Sequence, residues 1–330
     1  MFERYSRQIA TGKITINDQK ILAKKRIAVI GVGAIGSLLC GLLVRAGVKN
    51  ITLIDRDFVE ISNLARQSYF EKDVGMAKAD ALKKQLVDID SSAKITSIVA
   101  DIDKDMIGIL KSFDLILDGT DNMETRCLIN DFCMKNNIPW IYSAAIGTTY
   151  TTMNIIPKKT ACFECIFEKE IMPGTLDTCE TAGILNSTNT QLAAHVVVEA
   201  IKILTGKTPS LGLYYFDVWN HERTYANVKM RSYCNACNGK YLHFEGKKTD
   251  VVALCGNDSY QIKPAKLVKL DLSVFFKKLK KTMDVELRGN VLHVVDGDVK
   301  IALFADGRAI VKNVKTVGQS KAVYSKIVSV

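Results

Sequence analysis

The chain has 330 residues, 48% of them hydrophobic, which is enough for one large globular domain and a smaller one. Its first residues, MFERYSRQIATGK, carry charge from the third position and contain no apolar segment with a cleavage site, so we expect a cytoplasmic protein without an export signal. Residues 241–330 hold 16 Lys and Arg against 9 Asp and Glu, so +7 of the net charge of +10 lies there; the larger part is nearly neutral, and nucleic acid is not the expected partner.

Apolar strands alternate with longer helical patterns from Arg26 to about Trp140. The strands are predicted at RIAVIG, NITLID, KITSIVA, FDLILD and IPWIYSA, and the helices at residues 34–46, 76–87, near 106 and 124–136. This alternation predicts an α/β fold with a doubly wound, mostly parallel, Rossmann-like sheet that is covered by helices on both faces. Ligands of such sheets bind beyond the carboxyl ends of the strands.

The uncharged run from Ile27 to Val44 is just long enough to suggest a membrane span. Glycines interrupt it at positions 31, 33, 36 and 41, and an apolar strand that ends in Asp follows within a few residues. A buried strand, a turn and a buried helix explain this run better, so we expect no contact with a membrane.

The pattern changes after Tyr142 to strands of alternating polarity, TTMNIIP, YYFDVW and TYANVKM, around a helix from about Gln191 to Leu204. This change predicts an antiparallel extension of the same sheet. Short strands and helices near 272–282 and 317–328 follow a boundary at about 239–246, which predicts a large domain of residues 1–240 and a small basic α+β domain of residues 241–330. The segment FFKKLKK lies on an amphipathic helix, and we expect its lysines to be solvated.

A glycine-rich turn, GVGAIG, follows the first strand and opens a helix. Gly31, Gly33 and Gly36 let a phosphate approach the backbone N–H groups at the positive end of that helix. Asp55 closes the next strand 19 residues after Gly36, where a carboxylate can accept hydrogen bonds from the ribose hydroxyls. These residues predict a nucleotide site, and they suit NAD as well as ATP.

Additional polar residues follow the ribose carboxylate in DRDFVEISNLARQ and VGMAKAD. We expect Asn63, Arg66, Gln67 and Lys78 to contact phosphates, because fixed cations stabilise the charge that builds up at the α-phosphorus of a triphosphate during attack. A nicotinamide cofactor does not need them. This set therefore favours ATP.

The segment DGTDN follows the fourth predicted strand. Either Asp118 or Asp121 could hold Mg²⁺ against the phosphates, because this hard cation prefers carboxylate oxygen.

The chain has nine cysteines, an odd number that argues against a disulfide framework. Cys162 and Cys165 form one CxxC pair, and Cys234 and Cys237 form a second, with 68 residues between the pairs. Four thiolates at these spacings predict a closed, structural Zn²⁺ site. The alternative is a redox CxxC, which needs only one pair.

Several motifs together resemble the ThiF/MoeB/HesA family of adenylyltransferases, relatives of the ubiquitin-activating enzymes. They are RYSRQ at 4–8, GVGAIG at 31–36, DRDFVEISNLARQ at 55–67, Lys78, DGTDN followed by Arg126, and TCETAGI at 178–184. The resemblance covers residues 1 to about 240 in the family's order. The C-terminal segments LCGNDSYQIKP and LFADGRAIV also resemble the extension of Gram-positive ThiF-type proteins.

This resemblance implies activation of a small ubiquitin-like sulfur carrier for thiamine or molybdopterin biosynthesis. The carrier's C-terminal Gly–Gly carboxylate would attack the α-phosphorus of ATP and release pyrophosphate. The resemblance implies phosphate contacts by Asn63, Arg66 and Lys78 and Mg²⁺ binding by Asp121. It also implies that Arg7 reaches the ATP of the partner subunit in a homodimer, and that Cys179 can link covalently to the activated carrier. The family often has Pro before the phosphate lysine, whereas this chain has Ala77.

Three alternatives stay open. Within the family, the substrate could be the C-terminus of a ribosomal peptide that matures into a natural product. Outside it, the glycine turn could serve an NAD-dependent dehydrogenase, although the Arg66, Lys78 and Asp121 set argues against one. A non-catalytic scaffold that binds nucleotide would not need the full set of phosphate-facing residues.

Overall fold

The computed structural model describes residues 3–167, 182–244, 251–253, 258–264 and 268–328. The helices of its larger part are α1 (Ser6–Ala10), α2 (Ile16–Leu22), α3 (Gly36–Arg45), α4 (Lys78–Ile89), α5 (Met123–Asn136), α6 (Phe163–Ile166) and α7 (Asn186–Leu204). The strands are β1 (Arg26–Ile30), β2 (Asn50–Asp55), β3 (Lys94–Val99), β4 (Leu115–Asp118), β5 (Trp140–Ile146), β6 (Thr149–Ile155), β7 (Leu213–Asp217) and β8 (Glu222–Ala226).

The eight strands form one sheet in the order β3-β2-β1-β4-β5-β6-β7-β8. The first five of these are parallel, and β5 to β8 continue the sheet through antiparallel pairs. This arrangement confirms the predicted doubly wound sheet with an antiparallel extension. The strand order reverses between β1 and β4, so the loops that follow these two strands meet at the point where such sheets bind their ligands.

Both faces of the parallel part are buried. Ala28 and Ile30 of β1 pack with Phe132 of α5 in one hydrophobic cluster. Ile27 and Val29, whose side chains point to the opposite face, are fully buried as well. This burial on both faces explains why β1 reads as a continuous apolar run, and the run that suggested a membrane span is β1, the glycine turn and α3.

Three predicted elements differ from the observed ones. The helix near Met106 is a 3₁₀ helix, Ile107–Ser112, and TYANVKM contributes a strand only as far as Ala226. Beyond it, the N–H of Val228 bonds back to the carbonyl of Ala226 in a turn. The helix α7 begins at Asn186, five residues earlier than predicted, because its first turn consists of polar residues that hide the helical period.

The chain forms two compact units. The first comprises Met1–Asp57, Ile61–Glu71 and Lys78–Gly246, and the second comprises Phe58–Glu60, Lys72–Ala77 and Lys247–Val330. Nothing in the sequence pattern indicated that the two short segments before Lys78 belong to the second unit. The assignment of residues 1–240 and 241–330 to two separate domains stays a prediction.

The elements of the second unit are β9 (Val251–Ala253), β10 (Ser259–Ile262), α8 (Leu272–Leu279), β11 (Asp284–Arg288), β12 (Val291–Asp296), β13 (Val299–Phe304), β14 (Ala309–Lys312) and α9 (Val317–Val328). Its strands form an antiparallel sheet in the order β11-β12-β13-β14-β10-β9. Leu272 and Leu279 of α8 are buried against this sheet, and Lys277 and Lys281 are exposed, as predicted for a solvated lysine face.

Within the described parts of the chain, no helix is both long enough and apolar enough to cross a membrane.

Candidate active site

The glycine turn after β1 lies directly against the loop after β4. Gly31 has a φ of +79°, and a Cβ on it would lie 2.5 Å from the carbonyl oxygen of Gly119. A Cβ on Gly36 would lie 2.0 Å from the carbonyl oxygen of Gly31. These contacts require glycine because the backbones touch. Gly33 differs, since the nearest atom to its Cβ would be Nε2 of Gln67 at 3.9 Å, which leaves room for a phosphate beside the loop.

Asp55 ends β2 and connects the glycine turn to the following loop. Its Oδ2 accepts a hydrogen bond from the N–H of Val32 at 2.7 Å, and its Oδ1 accepts one from the N–H of Asp57 at 2.8 Å. Burial raises the pKa of Asp55, and the nearby charge of Lys78 opposes this rise. A carboxylate has about four acceptor positions, so two are left for a ribose.

Lys78 begins α4 at the carboxyl edge of the sheet. Its Nζ lies 2.5 Å from Oδ2 of Asp57, and the residue is only 7% exposed. Burial acts to lower the pKa of Lys78, but the negative charges of Asp57 and Asp55 outweigh it and raise that pKa above its ordinary value. The side chain is therefore a buried, charged ammonium at the strand ends, held in that form by the carboxylates of Asp57 and Asp55.

The segment between β2 and α4 carries the other predicted phosphate contacts. Asn63 and Gln67 are buried, whereas Arg66 is partly exposed and donates from Nη1 to the carbonyl of Ser62 at 2.6 Å. A cavity of about 350 Å³ opens beside them; it is lined by Leu38, Ala65, Arg66, Gln67, Asn186, Ser187, Thr190 and Gln191. The polar first turns of α7 thus face two of the predicted nucleotide residues.

The two candidate magnesium ligands after β4 have different environments. Asp118 is fully buried; its Oδ2 accepts from Nε of Arg126 at 2.9 Å, and its Oδ1 accepts from the N–H and the hydroxyl of Thr120 at 2.8 and 2.6 Å. Asp121 is exposed. Its negative charge acts on both Lys78 and Arg126. The bonds of Asp118 hold the loop in shape, whereas Asp121 is exposed and could hold a cation.

Other predicted residues lie elsewhere. Arg7 is exposed on α1, and Cys179 lies outside the described residues. His195 packs edge-on against Tyr150 and Tyr214. Asp131 is 1% exposed, and its Oδ2 accepts from the N–H of His243 at 2.9 Å.

The two CxxC pairs come together in one cluster. The four Sγ atoms of Cys162, Cys165, Cys234 and Cys237 all lie within 4.8 Å of one another. The Sγ atoms of Cys162 and Cys165 lie 3.9 Å apart, and those of Cys162–Cys234 and Cys165–Cys237 lie 3.4 and 3.7 Å apart. Four thiolates around Zn²⁺ at about 2.3 Å stand about 3.8 Å apart, so this cluster fits a tetrahedral zinc ion.

Hydrogen bonds around the cluster hold the two CxxC segments together. The carboxylate of Glu164 accepts from the N–H groups of Asn235 and Ala236 at 3.1 and 3.0 Å. The N–H of Arg231 lies 3.5 Å from Sγ of Cys165, and its guanidinium donates to the carbonyls of Glu164 and Phe167. Such N–H groups stabilise a thiolate, which is the form that binds zinc.

Three residues of the site were not predicted. Asp57 pairs with Lys78, and Gly119 contacts Gly31. The hydroxyl of Tyr69, a buried residue, bonds to the carbonyls of Val32 and Lys78 at 2.7 and 3.3 Å and so joins the glycine turn to α4. Asp57 carried a signal, since it follows a strand end; Tyr69 carried none, because its partners are main-chain carbonyls.

Known proteins resemble this chain in both sequence and fold. The ThiF family matches residues 5–238. The chain is 34% identical to the sulfur carrier protein ThiS adenylyltransferase of Bacillus subtilis, over 99% of both chains. It is 30% identical to the protein of the same name from Escherichia coli, over 72% of this chain and 96% of that one. Among solved structures, Escherichia coli MccB with ATP superposes with a TM-score of 0.64 at 23% identity, over 72% of this chain and 75% of that one, a likeness of fold.

The geometry of the site is consistent with the family that these comparisons indicate. The glycine turn, the carboxylate of Asp55 and the buried ammonium of Lys78 lie at the reversal point of a doubly wound sheet. The family match spans the whole first sheet and both CxxC pairs. The chain therefore belongs to the ThiF family and, like these relatives, is an adenylyltransferase.

Proposed function

We propose that the protein uses ATP and Mg²⁺ to adenylate the C-terminal Gly–Gly carboxylate of a small ubiquitin-like sulfur carrier, for thiamine or molybdopterin biosynthesis. The observation that carries this proposal is Lys78, a buried and charged ammonium beside Asp57 at the carboxyl edge of the sheet. A fixed cation of this kind suits a triphosphate, whose charge at the α-phosphorus grows during attack. The 34% identity with a ThiS adenylyltransferase along the whole chain supports the carrier as the substrate.

The chemistry is one displacement at phosphorus. A carboxylate oxygen of the carrier forms a bond to the α-phosphorus, the bond from that phosphorus to the oxygen of the β-phosphate breaks, and pyrophosphate leaves with the electron pair. The product is an acyl-adenylate. Neither side of this reaction needs an oxidant or a proton donor.

Each residue has a task in this reaction. Gly31 and Gly36 keep the phosphate loop close to the sheet, Gly33 leaves room for a phosphate, and the two acceptor positions left on Asp55 bind the ribose hydroxyls. Lys78, Arg66, Asn63 and Gln67 bind and orient the phosphates. Asp121, exposed beside these cations, would hold Mg²⁺, which supplies charge neutralisation at the phosphates when bound. Cys179, outside the described residues, is proposed as an acceptor of the activated carrier.

A resident Zn²⁺ is part of the proposal. The Sγ distances and the N–H groups around Cys162, Cys165, Cys234 and Cys237 suit that ion. All four positions of the tetrahedron are protein ligands, so the ion would pin the end of the first unit to the segment after β6 and take no part in the reaction. Reduced thiolates of this kind also agree with a cytoplasmic location.

We further propose a two-fold homodimer in which Arg7 reaches the ATP of the partner. Its exposed position on the short helix α1 supports this role. Mixed dimers test it: if Arg7→Ala is in one subunit and Asp121→Ala in the other, action across subunits leaves one subunit carrying both defects at its site and the other intact. Half of the wild-type rate is then expected, and a rate near zero would exclude action in trans.

The main test is pyrophosphate–ATP exchange with candidate proteins that end in Gly–Gly. We expect exchange with a ThiS-like carrier and none with the same carrier when its last glycine is removed. Exchange with a short ribosomal peptide instead would favour the peptide alternative, for which the MccB structures offer only a common fold. No exchange with any carrier, together with tight binding of NAD, would overturn the proposal in favour of a dehydrogenase.

A further inference from the structure

The second unit includes two segments that interrupt the first unit in sequence, Phe58–Glu60 and Lys72–Ala77. They form a short antiparallel ribbon: the N–H of Val59 donates to the carbonyl of Met76 at 2.9 Å, and the N–H of Gly75 donates to the carbonyl of Val59 at 2.8 Å. Val59 and Ala77 are both buried. We call residues 58–60 with 75–77 the ribbon.

The ribbon continues into the catalytic ion pair. Phe58 and Ala77 form a β-bridge, and the next bond along joins the N–H of Lys78 to the carbonyl of Asp57 at 3.0 Å. The side chains of Asp57 and Lys78 are the carboxylate and the ammonium that lie 2.5 Å apart at the strand ends. The main chain of Lys78 is therefore set by the register of the ribbon.

His293 of β12 holds the far end of the ribbon. Its Nε2 lies 2.7 Å from the carbonyl oxygen of Gly75, and because a carbonyl only accepts, Nε2 carries the proton. The imidazole also contacts Phe58 edge-on, with ring centroids 5.0 Å apart. Burial lowers the pKa of His293, although the bond to Gly75 opposes this shift, so the donor at neutral pH is the neutral ring.

Lys312 and the close packing of Gly75 also hold the ribbon. Nζ of Lys312 on β14 lies 2.7 Å from Oε2 of Glu60 and 5.2 Å from the ring centroid of Phe58. Gly75 has a φ of +86°, and a Cβ on it would lie 3.0 Å from Cγ of Arg288 and 3.3 Å from Nε2 of His293. The positive φ favours glycine here, and a side chain at this position would crowd Arg288 and His293.

We propose that His293 is a positioning residue for Lys78, and that the C-terminal sheet thereby serves the adenylation site. By fixing Gly75 and Phe58, it holds both ends of the segment that carries Asn63, Arg66 and Gln67, and it sets the main chain at Lys78. This proposal rests on the proposed function for the phosphate role of Lys78. His293 itself touches no reacting atom; it acts through the ribbon.

The test compares two replacements with a control in the same sheet. His293→Phe keeps the aromatic contact and removes the donor, whereas His293→Gln keeps an N–H donor. Lys326→Ala is the control, since it breaks an exposed ion pair with Asp296, a contact within the second unit that does not involve the ribbon residues. Amide hydrogen exchange of Val59, Gly75 and Lys78, without ATP or carrier, reports on the ribbon, and the KM for ATP in pyrophosphate exchange reports on the site.

We expect His293→Phe to speed amide exchange at Val59 and Lys78 and to raise the KM for ATP, each by roughly fivefold, the effect of losing one hydrogen bond. His293→Gln should restore both values to near wild type, and Lys326→Ala should change neither. Protected amides in His293→Phe, or an unchanged KM for ATP with loosened amides, would overturn the positioning role. If His293→Phe does not fold, Lys312→Met replaces it, with the same direction expected.

The two proposals fail in different ways. If the wild-type protein shows no pyrophosphate exchange with any Gly–Gly carrier, the proposed function fails, while the amide measurements still report whether His293 holds the ribbon. If the wild-type protein exchanges pyrophosphate and His293→Phe matches it in both readouts, only the positioning role fails.

Discussion

The carboxylate of Asp118 and the guanidinium of Arg126 form a buried ion pair, with Oδ2 and Nε 2.9 Å apart and side chains 0% and 9% exposed. Arg126 also donates from Nη2 to the carbonyls of Thr120 and Ser143 at 2.5 and 3.0 Å. The pair therefore ties β4, its loop, α5 and β5 together beneath the proposed nucleotide site. Asp121, three residues further along, lies exposed above it.

Asp118→Ala should mainly lower the stability of the fold, whereas Asp121→Ala should mainly lower the activity. Removing Asp118 leaves the charge of Arg126 buried without its partner and should cost about 3–5 kcal/mol of the free energy of unfolding. Removing the exposed Asp121 should change stability by less than about 0.5 kcal/mol and lower pyrophosphate exchange by at least roughly 100-fold. Denaturant unfolding and exchange assays at several Mg²⁺ concentrations measure both. Near-normal exchange by Asp121→Ala would contradict its role.

Replacing Lys78 should remove activity. Lys78→Met keeps most of the buried stem but not the charge, so we expect pyrophosphate exchange to fall by roughly 100- to 1,000-fold. Lys84→Met is the matched control, because Lys84 is exposed on the same helix, α4. Circular dichroism verifies folding of both variants. Equal rates for the two would show that the Lys78 ammonium does not serve the phosphates.

Replacing Gly36 should affect stability, whereas replacing Gly33 should affect ATP binding. Gly36→Ala would place its Cβ 2.0 Å from the carbonyl of Gly31, so we expect a large loss of stability or no folded protein. Gly33→Ala meets only the amide of Gln67 at 3.9 Å, so the protein should fold and bind ATP more weakly. Thermal unfolding and ATP titration compare them. A Gly33→Ala variant with unchanged ATP affinity would place the phosphates elsewhere.

The purified protein should contain about one zinc ion per chain, as expected for four thiolates in one tetrahedral set. Cys237→Ser should lose the metal and lower the unfolding temperature, because binding of such an ion contributes directly to folding. Cys40→Ala, at a buried cysteine outside the cluster, should keep its zinc. Elemental analysis and thermal unfolding before and after chelation provide the data, and a metal-free wild-type protein of the same stability would reject the site.

Asp131 predicts a dependence of stability on pH. Burial raises the pKa of its carboxyl from 3.8 to about 6, so the folded state retains a proton that the unfolded state releases. The stabilisation is complete below about pH 4 and disappears as the pH rises through about 6. Relative to Asp131→Asn, the wild-type free energy of unfolding should therefore fall by about 2 kcal/mol between pH 4 and pH 7. A constant difference across this range would show that Asp131 titrates normally.

Much of the first sheet was predictable, because each parallel strand is buried on both faces and therefore reads as an apolar run between turn residues. The same reasoning located Asp55 and the glycine turn at strand ends. The two CxxC pairs were paired from spacing alone, and their sulfurs meet in one cluster. The start of α7 was not found, since Asn186, Ser187 and Thr190 lack the helical period.

The unpredicted contacts share a physical cause. Tyr69 bonds to main-chain carbonyls, His293 bonds to that of Gly75, and Gly119 touches the carbonyl of Gly31. Every residue offers a main-chain carbonyl, so no residue type marks the partner in advance. Asp118 shows a further limit: the residues alone left it and Asp121 open as magnesium ligands, the family resemblance pointed to Asp121, and the buried ion pair between Asp118 and Arg126 could not be read from the sequence.

The contact among Gly31, Gly36 and Gly119 bears on why one glycine signature accompanies different nucleotides. A Cβ at any of the three would collide with main-chain atoms of the protein itself, so selection on these positions acts even before a ligand binds. The signature records how a strand, a turn and a helix are joined. The residues that select the nucleotide can therefore change in neighbouring loops without altering this strand–turn–helix connection. The motif is thus a weak indicator of the cofactor and a strong indicator of the fold.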